Sequence, residues 1–222
     1  MKLKNLLSTS LIALLLVGCS SKSDSTTEVE TSDSSADAAA ASGPAPVFSL
    51  AWSEYPSWSI FGVADEMELI KGEEGEMGDI EKKYNVDIVL KEAGYDTCLN
   101  MFTSNNCDAV CMTNMDALIV SAGRDGVAVL PTSTSNGADA CIVAGVESVD
   151  ALKEVETFGL KGTVSEYAFV RCLQELGKDP AEFKFTNQDP AIAAAAMAQK
   201  QDTHKSIMVW NPFVLQTLND RP

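Results

Sequence analysis

Five short polar stretches hold the side chains whose types could do chemistry. Trp52, Ser53, Glu54, Tyr55 and Trp58 crowd the turn after a strand-like run (VFSLAW), in a chain with only 7% aromatic residues. Thr113 and Asn114, within Thr-Asn-Met-Asp, follow a short apolar run. Asn136 sits in a polar crossover, Ser165, Glu166 and Tyr167 open a helical pattern, and Trp210 and Asn211 close another apolar run. Indole faces beside a carboxylate suit a planar cation, which stacks on the ring and donates charge-assisted hydrogen bonds to the acid. Neutral urea can use the same groups without the charge contribution. An anion would call for Arg or Lys in these turns, and they contain none, although helix N-termini alone also bind anions.

Each group taken singly is also explained by helix capping, for instance by Asn114 or Ser165. Taken together, they lie at strand ends and helix starts, where backbone N–H groups are free and where open α/β sheets bind ligands. They predict one shared small-molecule cleft.

Enzyme chemistry finds little support. The single histidine, His204, lies in a polar stretch between a helix and a strand and is expected at the surface. No serine elbow, phosphate-binding loop or dinucleotide-binding glycine pattern occurs, so no catalytic residue is assigned and no cofactor is expected. Cys98, Cys107, Cys111, Cys141 and Cys172 read as inert buried thiols, with a Cys98–Cys107 disulfide as the alternative. No metal is expected, because the spacing of Cys98, Cys107 and Cys111 fits no common zinc pattern.

The elements that must position these residues alternate. In the first half, strands are expected at 47–52, 86–90, 108–112 and 127–130, and helices at 60–70, 80–84, 95–104 and 114–122. After the polar segment 131–139 and a strand-like run at 140–144, helices at 149–155, 165–176, 191–200 and 212–218 interleave with strands at 157–160, 183–186 and 206–210. This is the pattern of parallel sheets covered on both faces, an α/β fold. With 45% apolar and 22% charged residues the composition is that of a globular protein, and a net charge of −16 argues against nucleic acid as a partner.

The N-terminus reads as an address. Lys2 and Lys4 precede an apolar run at 6–17, too short to span a bilayer. The run ends in Leu-Val-Gly-Cys, which resembles the lipobox of bacterial lipoproteins with Cys19 as the acylated residue. Residues 1–19 are thus expected to be a lipoprotein signal peptide and 20–46, rich in Ser, Thr, Asp, Glu and Ala, a disordered tether.

The lipobox, AWSEYPSW, CMTNMDAL, SNGAD, VSEYAFVR and VWNP resemble, in order, segments of the solute-binding proteins of nitrate/taurine-type ABC importers. The similarity is greatest to the urea-type subgroup linked to urea carboxylase genes. The resemblance implies a type II periplasmic-binding-protein fold, with two lobes joined by hinge strands: lobe 1 at 47–135, incomplete, and lobe 2 at 136–222. Such proteins continue beyond WNPF, so the C-terminal part is expected to be missing. The implied function is capture of a small nitrogenous solute, urea- or guanidinium-like, by a monomer held by its lipid anchor on the periplasmic face of a membrane. A permease and an ATPase would be its partners. Trp52, Glu54, Trp58, Thr113 and Asn114 would line one side of the cleft and Ser165, Tyr167 and Trp210 the other. Alternatives are a binding protein for nitrate, taurine or another sulfonate, and a sensory lipoprotein without a transport role. A pyrimidine-synthesising enzyme of this fold would need a reactive histidine near the cleft, and His204 lies too far along the second half.

Overall fold

The computed structural model describes residues 43–221, all within one compact unit. The expected signal peptide, Cys19 and the tether as far as residue 42 lie outside the described residues.

Strand β1 (Val47–Trp52) is the centre of a three-stranded parallel sheet. Strands β2 (Asp87–Glu92) and β3 (Ala109–Val110) flank it, giving the order β2-β1-β3. Burial rises along β1, from 50% exposure at Phe48 to none at Ala51. The strand therefore delivers its carboxyl end, and the Trp52–Glu54 turn, to the interior. Helices α1 (Ile60–Glu66), α2 (Asp79–Tyr84), α3 (Tyr95–Thr103) and α4 (Asn114–Val120) fill the connections. Cys98 and Phe102 of α3 and Val120 of α4 pack with Ala51 and Cys107 in a small apolar cluster.

The second sheet contains β4 (Asp139–Val143), β5 (Glu156–Gly159), β6 (Lys184–Asn187) and β7 (Ser206–Trp210), in the order β4-β7-β5-β6. Pairs β5–β6 and β5–β7 are parallel, while β4 runs antiparallel to β7. Helices α5 (Val164–Glu175), α6 (Pro190–Ala198) and α7 (Phe213–Asp220) cover it. The alanine-rich α6 is apolar on every side because it packs against β5, β7 and α7 at once.

Two carboxylates organise the Gly- and Glu-rich loop at 71–78: Asp87 Oδ2 accepts the Gly75 N–H at 2.7 Å, and Glu81 takes up more of its backbone. Glu81 is fully buried and accepts the backbone N–H groups of Lys71 (2.8 Å), Gly78 (2.7 Å) and Ile88 (2.7 Å). Gly78 is required there by space, since a Cβ would lie 2.5 Å from the backbone of Glu68 and Leu69.

Four expectations change. Helix α1 ends at Glu66 instead of residue 70, because Glu68 takes a left-handed φ of 59° and turns the chain back. Residues 127–130 are not a strand: Val127 and Val129 are 87% and 91% exposed, and no strand among the described residues pairs with the run. The helix expected at 149–155 is a 3₁₀ turn at Asp150–Glu154. The antiparallel β4 makes the second sheet mixed, so the polar crossover feeds a strand pairing back along β7.

Candidate functional site

The aromatic residues form a chain of ring contacts between the two sheets. Tyr55 lies 4.9 Å from Trp58, which stacks on Tyr95 at 5.3 Å. Tyr95 meets Trp210 edge-on at 5.9 Å, and Trp210 meets Phe213 at 6.2 Å. Trp52, Trp58 and Trp210 are thus members of a core shared by both halves, together with Leu160, Met197, Ile207 and Val209. Expected as open cleft walls, they are only 5–7% exposed, because apolar rings facing each other gain more by mutual burial than by facing water. Gly62 allows the close approach of Trp52, whose ring would be 2.7 Å from a Cβ at that position.

Against this cluster lies a polar network. Asp116, 1% exposed, receives the Tyr95 hydroxyl at 2.6 Å and the Thr113 hydroxyl at 2.8 Å on Oδ2. The Thr113 N–H in turn donates to the Tyr95 oxygen at 3.0 Å. Thr113 caps α4 by accepting from the Asp116 N–H, and Thr163 caps α5, so neither Asn114 nor Ser165 is the cap. Asn114 is exposed at the helix start. Ser165 is fully buried and donates to Asp139 Oδ1 at 2.8 Å. Burial, and then the charge of Asp116, push the Asp139 carboxyl above the usual range, with Ser165 opposing.

Glu54 sits half-buried beside Trp210. Burial raises its pKa, with Asp189 and Glu92 adding repulsion, while its own backbone and the Trp210 indole pull the other way. The indole influence is weak: Trp210 Nε1 makes no hydrogen bond of normal geometry, and neither do Trp52 Nε1, Ser53 Oγ and Asp116 Oδ1.

An open groove of about 260 Å³ runs along one edge of this assembly, lined by Tyr55, Ser57, Asn136 and Asn211 among others. Of the residues singled out from sequence, Tyr55, Asn136 and Asn211 meet there. Glu166 instead accepts the Gly162 N–H at 2.7 Å, and Tyr167 is 47% exposed outside the groove. Sequence reasoning did not single out Tyr95, Asp116 or Asp139. Asp116 stood inside the Thr-Asn-Met-Asp segment, but nothing local tells that its carboxylate is buried.

His204 is buried, stacked on Phe158 at 4.1 Å, with Nε2 2.9 Å from Gln188 Oε1. Burial lowers its pKa, and its ring nitrogens serve to bind the neighbouring loop. Cys98, Cys107 and Cys111 are free buried thiols, so the alternative disulfide does not form. Cys141 and Cys172, expected inside, are exposed, because β4 is an edge strand and Cys172 stands at the rim of α5.

Two α/β sheets, the second with an antiparallel strand, and the likeness to the solved structures that follow give the chain the type II periplasmic-binding-protein fold. No protein-family model and no curated protein matches the chain. Among solved structures it is similar to the periplasmic aliphatic sulphonate binding protein SsuA of Escherichia coli (21% identity, TM-score 0.58), covering 78% of this chain and 57% of that one. It is likewise similar to the alkanesulfonate-binding protein SsuA of Xanthomonas axonopodis pv. citri bound to MOPS (18%, 0.63), covering 80% and 59%. The periplasmic nitrate-binding protein NrtA of Synechocystis PCC 6803 is a third (15%, 0.55), with 79% and 49% covered. The chain thus spans roughly half to three-fifths of the length of these structures, and the likeness concerns the fold.

Proposed function

We propose that this chain supplies the solute-binding body of an ABC importer, with lobe 1 at 47–135 and lobe 2 at 136–222, and that it captures a small nitrogenous solute, urea- or guanidinium-like. One observation carries this reading: the carboxylates of Glu54, Asp116 and Asp139 lie at or beside the shared aromatic cluster without a cationic partner. None of the five ion pairs among the described residues involves them. The three arginines there are held elsewhere, Arg124 and Arg221 on backbone carbonyls and Arg171 on Gln174 and Glu175. Desolvated carboxylates that have neutral donors but no cation, with Asp116 Oδ1 unpartnered, favour a ligand that brings N–H groups. The role is binding without chemistry. A lipid on Cys19 would hold the protein at the periplasmic face, where a permease and an ATPase would receive the solute.

A second reading, a nitrate or sulfonate ligand, is favoured by the unpartnered donors Trp52 Nε1, Ser53 Oγ and Trp210 Nε1. The names of the similar structures point the same way. The deciding experiment is a thermal melt of the full chain against urea, guanidinium, taurine and nitrate. A ligand at 100 times its Kd adds about 2.7 kcal/mol, a clear shift of the midpoint. A shift with urea or guanidinium supports the first reading, a shift with nitrate or taurine alone supports the second, and a cooperative melt that none of the four moves would sink both.

A further inference from the structure

The two halves of the chain meet at the start of α3. Tyr95, its first residue, sets its ring 5.9 Å from that of Trp210, the last residue of β7. Both rings are tied down within their own half. The Tyr95 hydroxyl is bonded to Asp116 Oδ2 and to the Thr113 N–H, and its ring is stacked on Trp58 at 5.3 Å. Trp210 is fixed by the β4–β7 ladder and flanked by Phe213 at 6.2 Å. Trp58, Tyr95 and Trp210 are each only 5–7% exposed.

A second contact crosses beside the first. Gly94, the residue before Tyr95, faces Asp189 of the second half, whose Oδ2 would lie 3.9 Å from a Cβ at position 94. The other oxygen of Asp189 caps α6, accepting from the Ala191 and Ile192 N–H groups at 2.9 and 3.1 Å. Asp189 is thereby held against the N-terminus of α3, where the helix dipole favours a negative charge. Parting the halves would bring apolar ring faces to water, and nothing in either contact requires a bound solute.

We propose that Tyr95 with Trp210, and Gly94 with Asp189, form a latch that keeps the halves shut in the absence of solute. Solute then enters along the open groove beside Tyr55 and Asn211, without parting of the lobes. This rests on the reading of 47–135 and 136–222 as the lobes of a solute-binding body, and adds how its site is reached. Closure is a standing state of the fold, and the solute does not drive it.

The test begins with the fluorescence of the full chain without solute. Its three tryptophans, Trp52, Trp58 and Trp210, all belong to the buried cluster, so the emission reports on that cluster alone. Emission at short wavelength is expected, with acrylamide quenching several-fold weaker than in the heat-unfolded chain. Gly94→Asp supplies a helix-capping side chain at an ordinary backbone angle (φ −58°) while setting a second carboxylate against Asp189. It should keep a cooperative melt, move the emission to longer wavelength and raise quenching several-fold. Gly94→Asn caps without the charge and should behave as the unaltered chain. Small-angle scattering of the unaltered chain should give the same radius with and without millimolar urea, guanidinium, taurine or nitrate. Tryptophans quenched as in the unfolded chain, equal quenching in the two Gly94 variants, or contraction on binding any of the four solutes overturns the latch and leaves a solute-binding protein. Shielded tryptophans in a chain that binds none of the four keep the latch and overturn the proposed function. Should the Gly94→Asp chain not melt cooperatively, the quenching and scattering of the unaltered chain decide.

Discussion

The Tyr95 hydroxyl donates to Asp116 Oδ2 at 2.6 Å and accepts from the Thr113 N–H at 3.0 Å, so one phenol joins α3 to the start of α4. Burial, reinforced by the Asp116 charge, pushes its pKa well above the ordinary phenol value, which keeps it a donor. Tyr95→Phe leaves a buried carboxylate one donor short and a backbone N–H without its acceptor. The expected cost is about 2–3 kcal/mol in urea-induced unfolding. A loss below about 0.5 kcal/mol would show that the network contributes no stability.

The raised pKa of Glu54 sets a pH dependence with a definite sign. Burial comes first among its causes, followed among the raising ones by Asp189 and Glu92. The folded state therefore binds this proton more tightly than the unfolded chain, whose glutamates titrate near pH 4. The stabilising contribution is full below that pH and is lost as pH rises through the folded-state value. Ligand-free Glu54→Gln protein should melt higher than the unaltered chain at pH 7.5, with the gap closing toward pH 4. A gap that does not change with pH would mean that the carboxyl is not the cause. Binding of a cation has the opposite trend, weakening on acidification as Glu54 loses its charge.

Glu81 offers a separate test of the loop that precedes β2. Three backbone N–H groups converge on its fully buried carboxylate, at 2.7 to 2.8 Å. Glu81→Ala strands all three, and a loss of about 3 kcal/mol or more is expected, measured by chemical denaturation. Increased proteolysis within 71–78 should accompany it.

Truncating the aromatics separates core from periphery. Trp210→Ala removes a 5% exposed ring from the shared cluster and should cost about 3–5 kcal/mol. Tyr167→Ala, at a 47% exposed position, should change stability by less than about 0.5 kcal/mol. Similar melting temperatures for the two variants would contradict the packing described.

The cysteines should label in a fixed order. Cys172 is exposed and should react first with a maleimide. Cys141 is exposed as a residue, yet its sulfur tucks in beside Ser206 Oγ at 3.5 Å, and burial pushes its pKa up, so it should follow. Burial also drives Cys98 to about 11 and Cys111 to about 12, and these two should label only on unfolding. Mass mapping of the native protein that finds Cys111 modified before Cys172 would refute this order.

Local pattern carried far in this chain. Apolar runs bounded by polar turns located seven of the eight expected strands to within a few residues, since a strand buried at its end must be apolar there whatever it pairs with. The run at 127–130 had the same composition without a partner strand, and composition alone cannot supply one. The turns that meet at the open groove stand out in the sequence for a similar reason: polar and aromatic residues at strand ends contrast with apolar neighbours, as Tyr55, Asn136 and Asn211 do.

Tertiary structure decided the rest. Whether an indole lines a cleft or fills a core depends on what faces it, and Trp52, Trp58 and Trp210 face one another across the two sheets. Whether an aspartate is a solvated charge or a buried one depends equally on distant residues. Asp116 and Asp139 are 23 positions apart in the sequence. Only the tertiary packing gives Asp116 the Tyr95 hydroxyl and places Asp139 opposite Trp210 in an antiparallel ladder, with Tyr95 and Trp210 in edge contact. Sequence determined which segments are strands and helices and which turns are polar, because those follow from neighbours along the chain. Burial, hydrogen-bond partners and the loss of water follow from neighbours in space, and they alone made two ordinary aspartates part of a polar network against the aromatic core.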